Sequence, residues 1–257
     1  MRKPLLIDLD GVLRIGSNLA EGTEILLNYI EQKNISSCIL SNSSLYTSKN
    51  ILSFFKDNSI DLRIPVITAI DAASDYVKNK YSKVAAFTSE NVIHLFNDIL
   101  DFENPEAVLI GDIGNLWNYK LMQTIFEYVR NGADLIAIHK NKFWNKENLG
   151  ITLDAGPFIH AIEYAADKEA LLIGKPSPLY FESAFTKINC NSKHPFMMLG
   201  DDLESDITGS KKIGAETILI YTGKTQKPFL PKFKDIVDHE ADNLMEVIRI
   251  LDNLSKN

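Results

Sequence analysis

The sequence predicts an α/β protein: a doubly wound, Rossmann-like parallel-sheet core carrying an inserted α/β cap domain. Three observations lead there. Short continuous apolar runs end abruptly in polar clusters, helical stretches fill the gaps between them, and a long middle stretch carries strands and helices of its own. Such runs read as strands buried on both faces of a parallel sheet, and strand alternating with helix implies right-handed crossovers.

In chain order, LLIDLD at residues 5–10 is the first predicted strand, followed by a helical pattern over 22–33. SCILSN at 37–42 is the second strand and 47–56 the next helix. The middle stretch offers strands at 83–87, 106–111 and 134–139, with helices at 89–100, 119–131 and 157–166, enough for a small second α/β domain. LLIGKP at 171–176 and FMMLGDD at 196–202 resume the strand series, with helices at 178–187 and 242–254. The expected division is therefore core 1–78, inserted cap 79–170 and core 171–257. Ligands of such sheets bind beyond the carboxyl ends of the strands, where all four polar clusters would fall.

Composition narrows the function classes. With 257 residues and 45% apolar content, the chain can build a real core. A net charge of -7 gives no basic field for nucleic acid or anionic lipid, so the partners expected are a small substrate, with no nucleic acid and no membrane. Acids at Asp8 and Asp10 interrupt any signal-peptide apolar region. Two cysteines, Cys38 and Cys190, make neither a disulfide framework nor a zinc site, which fits a reducing cytoplasm.

The polar clusters carry the chemistry. Asp8 and Asp10 stand two apart at a strand end, so the pleat points both to one side, and Gly11 lets the backbone turn tightly. One carboxylate can attack while the other shuttles a proton. GDDLESD brings Asp201, Asp202 and Asp206 after another strand. Carboxylates converging from neighbouring strand ends repel by roughly 4 kcal/mol per pair at about 4 Å and an effective dielectric near 20. The site therefore needs cations: Lys175, a hard metal such as Mg2+, or both. Ser41 and Asn42 offer a hydroxyl and an amide where a phosphoryl oxygen would lie. A DxD or a Gly-Lys-Pro alone marks an ordinary turn; the order DxDG, SN, GKP, GDDxxxD, each after an apolar run, is far more specific.

At these residues the chain resembles the haloacid dehalogenase superfamily, whose four motifs match Asp8 to Gly11, Ser41, Lys175 and Gly200 to Asp206. The insertion looks like the type II cap of the branch containing pyridoxal phosphate and phosphoglycolate phosphatases. EAVLIGDIG, ITLDAGPFIHAIEYA and ALLIGKPSPLYFESA look most like the phospholysine phosphohistidine inorganic pyrophosphate phosphatases. The resemblance implies a Mg2+-dependent phosphatase with Asp8 as nucleophile, Asp10 as general acid and base, and Ser41 and Lys175 clamping phosphate. Asp8, the Asp10 carbonyl and Asp201 would hold Mg2+, with Asp206 outside them. It also implies dimerisation through the cap. Motif II carries Ser where many relatives have Thr, which keeps the hydroxyl. Asp10 is intact where the relatives nearest in the cap can carry a smaller residue, which favours hydrolysis of ordinary esters.

Other signals weigh less. TGKT around Lys224 lacks the P-loop glycine, since Ile218 stands at that position, and reads as a strand-ending turn. His94 and His160 fall in helical patterns, His194 and His239 in loops. His139, in HKNKFW after a cap strand, either faces the catalytic cleft and substrate or sits in a solvated loop. Asp154 and Gly156, before a helix start, are candidate specificity residues. The rivals are a phospho-receiver module, which is about half this length, and a catalytically idle binding protein on the same fold.

Overall fold

The computed structural model of the chain describes residues 3–146, 150–191 and 194–255. The chain divides into two compact units: residues 1–41, 50–67 and 175–257 form the first, and 42–49 with 68–174 the second.

The first unit is built on a six-stranded sheet in the order His239–Ala241, Glu216–Ile220, Met197–Gly200, Leu5–Asp8, Ser37–Ser41, Val66–Thr68. Leu5–Asp8 pairs in parallel with Ser37–Ser41 on one side and Met197–Gly200 on the other, so the strands bearing the first and last acidic clusters are neighbours. Their apolar runs are continuous because both faces are covered: Leu5, Leu6, Ile7, Ile39, Met198 and Leu199 are all fully buried. On one face, the helices Thr23–Gln32 and Leu244–Leu254 supply Leu26, Ile30, Val247 and Leu251 to the same apolar cluster as Leu5 and Ile7.

The second unit holds a separate parallel sheet in the order Leu171–Leu172, Asp134–Ala137, Ala107–Ile110, Val84–Phe87, the inserted cap. Helices Tyr119–Arg130 and Ala155–Ala166 close its core through Ile125, Val129, Ile159 and Ile162. An antiparallel hairpin, Phe143–Lys146 with Gly150–Leu153, precedes the second of these helices.

Several elements differ from their sequence-based expectation. LLIGKP supplies a strand to the cap sheet, not to the core: only Leu171–Leu172 pairs, and it pairs with Asp134–Ala137. A two-residue apolar strand cannot announce its sheet, because pairing is decided by the partner across the ladder. The pattern over 89–100 gives one short helix, Glu90–Ile93, and a 3₁₀ turn, His94–Phe96. A helix over Ala69–Lys80, capped by the Thr68 hydroxyl on the Asp71 amide, lies where none was predicted. His239 begins an edge strand instead of a loop.

Candidate active site

The central strand ends at Asp8, not Asp10, because the Leu9 carbonyl accepts amides from Val12, Leu13 and Arg14 and closes a turn. Asp8 is thus left buried at the strand end while Asp10 emerges, its side chain 52% exposed. Gly11 turns the backbone at φ 90°, and a Cβ there would meet the Asp201 carboxylate at 2.2 Å, so glycine is required on both counts. A small hairpin, Arg14–Ile15 with Asn18–Leu19, follows.

Asp201 follows the neighbouring strand Met197–Gly200, and Asp206 sits on a wide π-helical turn, Leu203–Thr208, capped by the Asp202 carboxylate on the amides of Glu204 and Ser205. Asp8, Asp201 and Asp206 each offer an oxygen within 4.8 Å of the others, and all three are buried. Asp206, expected outside a metal-ligand set, therefore belongs to the same cluster. Lys175, itself buried, donates to Asp8 and to the Leu40 carbonyl and lies 2.8 Å from an Asp206 oxygen.

The electrostatics follow from burial and crowding. Burial, then the charge of Asp206, lifts the Asp8 carboxyl well above its usual range, with Lys175 opposing. Burial and Asp206 likewise push Asp201 up to about 7, and burial raises Asp206 against the pull of Lys175. Burial works against the Lys175 ammonium, but Asp206 and Asp8 outweigh it and hold the lysine charged. Three carboxylates facing one ammonium leave an excess of two negative charges when all are ionised. That deficit and the all-oxygen donor set fit a hard divalent cation such as Mg2+.

The TGKT turn, set aside as a strand-ending turn, braces this cluster. The Lys224 amide donates to Asp201, its ammonium pairs with Asp202 at 2.6 Å, and the Thr222 hydroxyl donates to the Gly11 carbonyl. Burial disfavours ionised Asp202, but Lys224 and the two capping amides outweigh it and hold the carboxyl low. The signal was positional: this turn ends the strand Glu216–Ile220, which lies beside Met197–Gly200. Tyr180, unremarked in the sequence, donates to the carbonyls of Ser41 and Ile67 and ties two strand ends together.

Asp10 and Ser41 are near neighbours, the Ser41 hydroxyl lying 3.4 Å from Asp10 Oδ2, and Ser41 is fully buried. The other candidates belong to the second unit. Asn42 lies there, its side-chain amide oxygen Oδ1 2.7 Å from where a Cβ on Gly174 would stand. His139 is only 3% exposed, so the solvated-loop reading fails. Its Nε2 lies 3.1 Å from the Ser44 hydroxyl and its Nδ1 3.9 Å from an Asp154 oxygen. Asp154 caps the helix Ala155–Ala166, and Gly156 passes so close to the backbone of Lys140 and Asn141 that a Cβ would lie 2.5 and 2.4 Å from their carbonyl oxygens. Both residues thus have structural work within their own unit.

A parallel α/β core interrupted by an α/β insertion, with acids from adjacent strand ends gathered about one lysine, defines a class of hydrolases. A family model described as haloacid dehalogenase-like hydrolase matches residues 5–99, and a second model of the same superfamily matches 172–247; the chain belongs to the haloacid dehalogenase-like hydrolases. It is 28% identical over 255 residues to haloacid dehalogenase-like hydrolase domain-containing protein 2 of Mus musculus, covering 95% of this chain and 97% of that protein. It is also 28% identical over 254 residues to the phospholysine phosphohistidine inorganic pyrophosphate phosphatase of Mus musculus, covering 96% and 93%. The fold is shared with a 4-nitrophenylphosphatase from Thermotoga maritima, at a TM-score of 0.85 and 22% identity over 96% of this chain and 97% of that one.

Proposed function

We propose that the chain is a Mg2+-dependent phosphatase that hydrolyses small phosphorylated compounds through an aspartyl-phosphate on Asp8. The observation that carries this is the pairing of buried Asp8 with Lys175 inside the carboxylate cluster at the central strand end. A buried carboxylate held by a lysine, with two further acids beside it that can hold a cation, is arranged for attack on the phosphorus of an anionic phosphoryl group.

Asp8, Asp201 and Asp206 are the residues that would hold the cation, with the Asp10 carbonyl as a further oxygen. When bound, the ion offsets the charge of the phosphoryl oxygens and of the carboxylates around them. Asp8 attacks phosphorus as the bond to the leaving oxygen breaks, and Asp10 gives that oxygen its proton. Asp10 then takes a proton from water as the water oxygen displaces Asp8 from phosphorus, regenerating the carboxylate and releasing inorganic phosphate. Lys175 balances charge on Asp8 and on the phosphoryl group throughout, and Ser41 supplies a hydroxyl to a phosphoryl oxygen.

Relatives named for phospholysine, phosphohistidine, pyrophosphate and 4-nitrophenyl phosphate set the substrates to try first. An intact Asp10 favours esters whose leaving group needs a proton. The test is phosphate release with Mg2+, and with EDTA, over p-nitrophenyl phosphate, sugar phosphates, nucleotides, pyridoxal phosphate, pyrophosphate and phospho-amino acids. Turnover that EDTA abolishes is expected. A stable phospho-protein without turnover would mark a receiver-like module instead, and no reaction with any of them an idle binding protein.

A further inference from the structure

The Asp10 carboxylate is held by an arm that no motif of the family resemblance contains. Arg14 lies four residues on, at the start of the short hairpin after the Asp10 turn. Its Nε donates to Asp10 Oδ1 at 2.8 Å and its Nη2 stands 2.7 Å from the same oxygen. The Gly11 amide donates to the Arg14 carbonyl, so backbone and side chain close one ring. The arginine is not a loose surface partner: its side chain is 13% exposed, against 52% for Asp10, and its guanidinium lies 5.4 Å from the centre of the Phe54 ring.

We propose that Arg14 is a positioning residue that fixes the Asp10 carboxyl for proton transfer to and from the reacting oxygen. Because it acts through Asp10, its role stands on the phosphatase function proposed above. A half-exposed aspartate on a turn would sample several rotamers, and general acid catalysis needs one. Both guanidinium contacts fall on Oδ1, while Oδ2 takes the weaker Ser41 contact at 3.4 Å. One oxygen thus anchors the group and the other is presented for the proton. Arginine suits the anchor because its fork is planar, stacks on an aromatic face and does not itself give up a proton; lysine would supply a point charge without the fork or the stacking.

The test compares Arg14→Ala and Arg14→Lys with the wild type on phenyl phosphate and p-nitrophenyl phosphate, two esters of similar shape. The phenolate of the first needs a proton to leave and that of the second needs much less. The quantity read is kcat/KM, which ends at leaving-group departure and is blind to hydrolysis of the phosphoenzyme. Arg14→Ala is expected to lose about 10- to 100-fold on phenyl phosphate and less than about 5-fold on p-nitrophenyl phosphate, with Arg14→Lys in between. Equal losses on both esters, or no loss on either, would overturn the assignment. So would weaker competitive inhibition of Arg14→Ala by inorganic phosphate, which would make Arg14 a phosphate ligand. A melting curve with Mg2+ checks that each variant is folded. If the wild type releases phosphate from neither ester nor from any compound of the panel above, the phosphatase function itself fails; if it hydrolyses both esters and the losses run parallel, only the role of Arg14 does.

Discussion

Lys175 Nζ lies 2.8 Å from an Asp206 oxygen, with the two side chains 2% and 1% exposed, and the same ammonium holds Asp8. A buried cation shared by two acids is costly to remove, because each acid left behind keeps its desolvation penalty. Lys175→Met is expected to lose about 3–5 kcal/mol of stability in EDTA at about pH 8. Urea unfolding measures it. A loss below about 1 kcal/mol would show that the acids are protonated or hydrated and need no lysine.

Asp8→Asn is expected to abolish phosphate release while leaving the chain folded, since the amide keeps the shape and removes the nucleophile. Burial and Asp206 already favour the neutral form of Asp8. The metal-free variant is therefore expected to melt no lower than the wild type at about pH 8. Residual turnover, with deamidation excluded by mass spectrometry, would dismiss Asp8 as nucleophile.

The raised acids make metal-free stability depend on pH with a definite sign. Asp201, pushed up to about 7 by burial and by Asp206, holds its proton more tightly folded than unfolded, where an aspartate titrates near 3.9. Between those values the folded state binds more protons, so stability falls as pH rises and the contribution is gone above about 7. In EDTA the melting temperature is expected to be higher near pH 5.5 than near pH 8. Addition of Mg2+, which needs ionised ligands, should raise it more near pH 8. A Mg2+ increment independent of pH would contradict the cluster as metal site.

Gly156→Ala places a methyl group against two backbone oxygens that cannot rotate away. A loss of about 1–3 kcal/mol is expected, read by chemical denaturation. An unchanged midpoint would mean that the Lys140–Asn141 backbone yields freely.

The local parts of this protein were legible in its sequence. The runs at residues 5–10, 37–42 and 196–202 hold the central strands Leu5–Asp8, Ser37–Ser41 and Met197–Gly200, because a short continuous apolar run bounded by turn residues suits a strand buried on both faces. Asp8, Lys175, Asp201 and Asp206 were legible because strand-end acids need cations, wherever along the chain these arise. The sheet joined by Leu171–Leu172, the bracing turn at Thr222 and Lys224 and the Arg14 clamp on Asp10 were not. Sequence by itself determined which segments are strands and which side chains carry charge, since both depend on residue type and short-range pattern. Tertiary structure alone decided which charges meet: Lys175 reaches Asp8 across 167 positions, and that choice follows from strand order, a property of the packed whole.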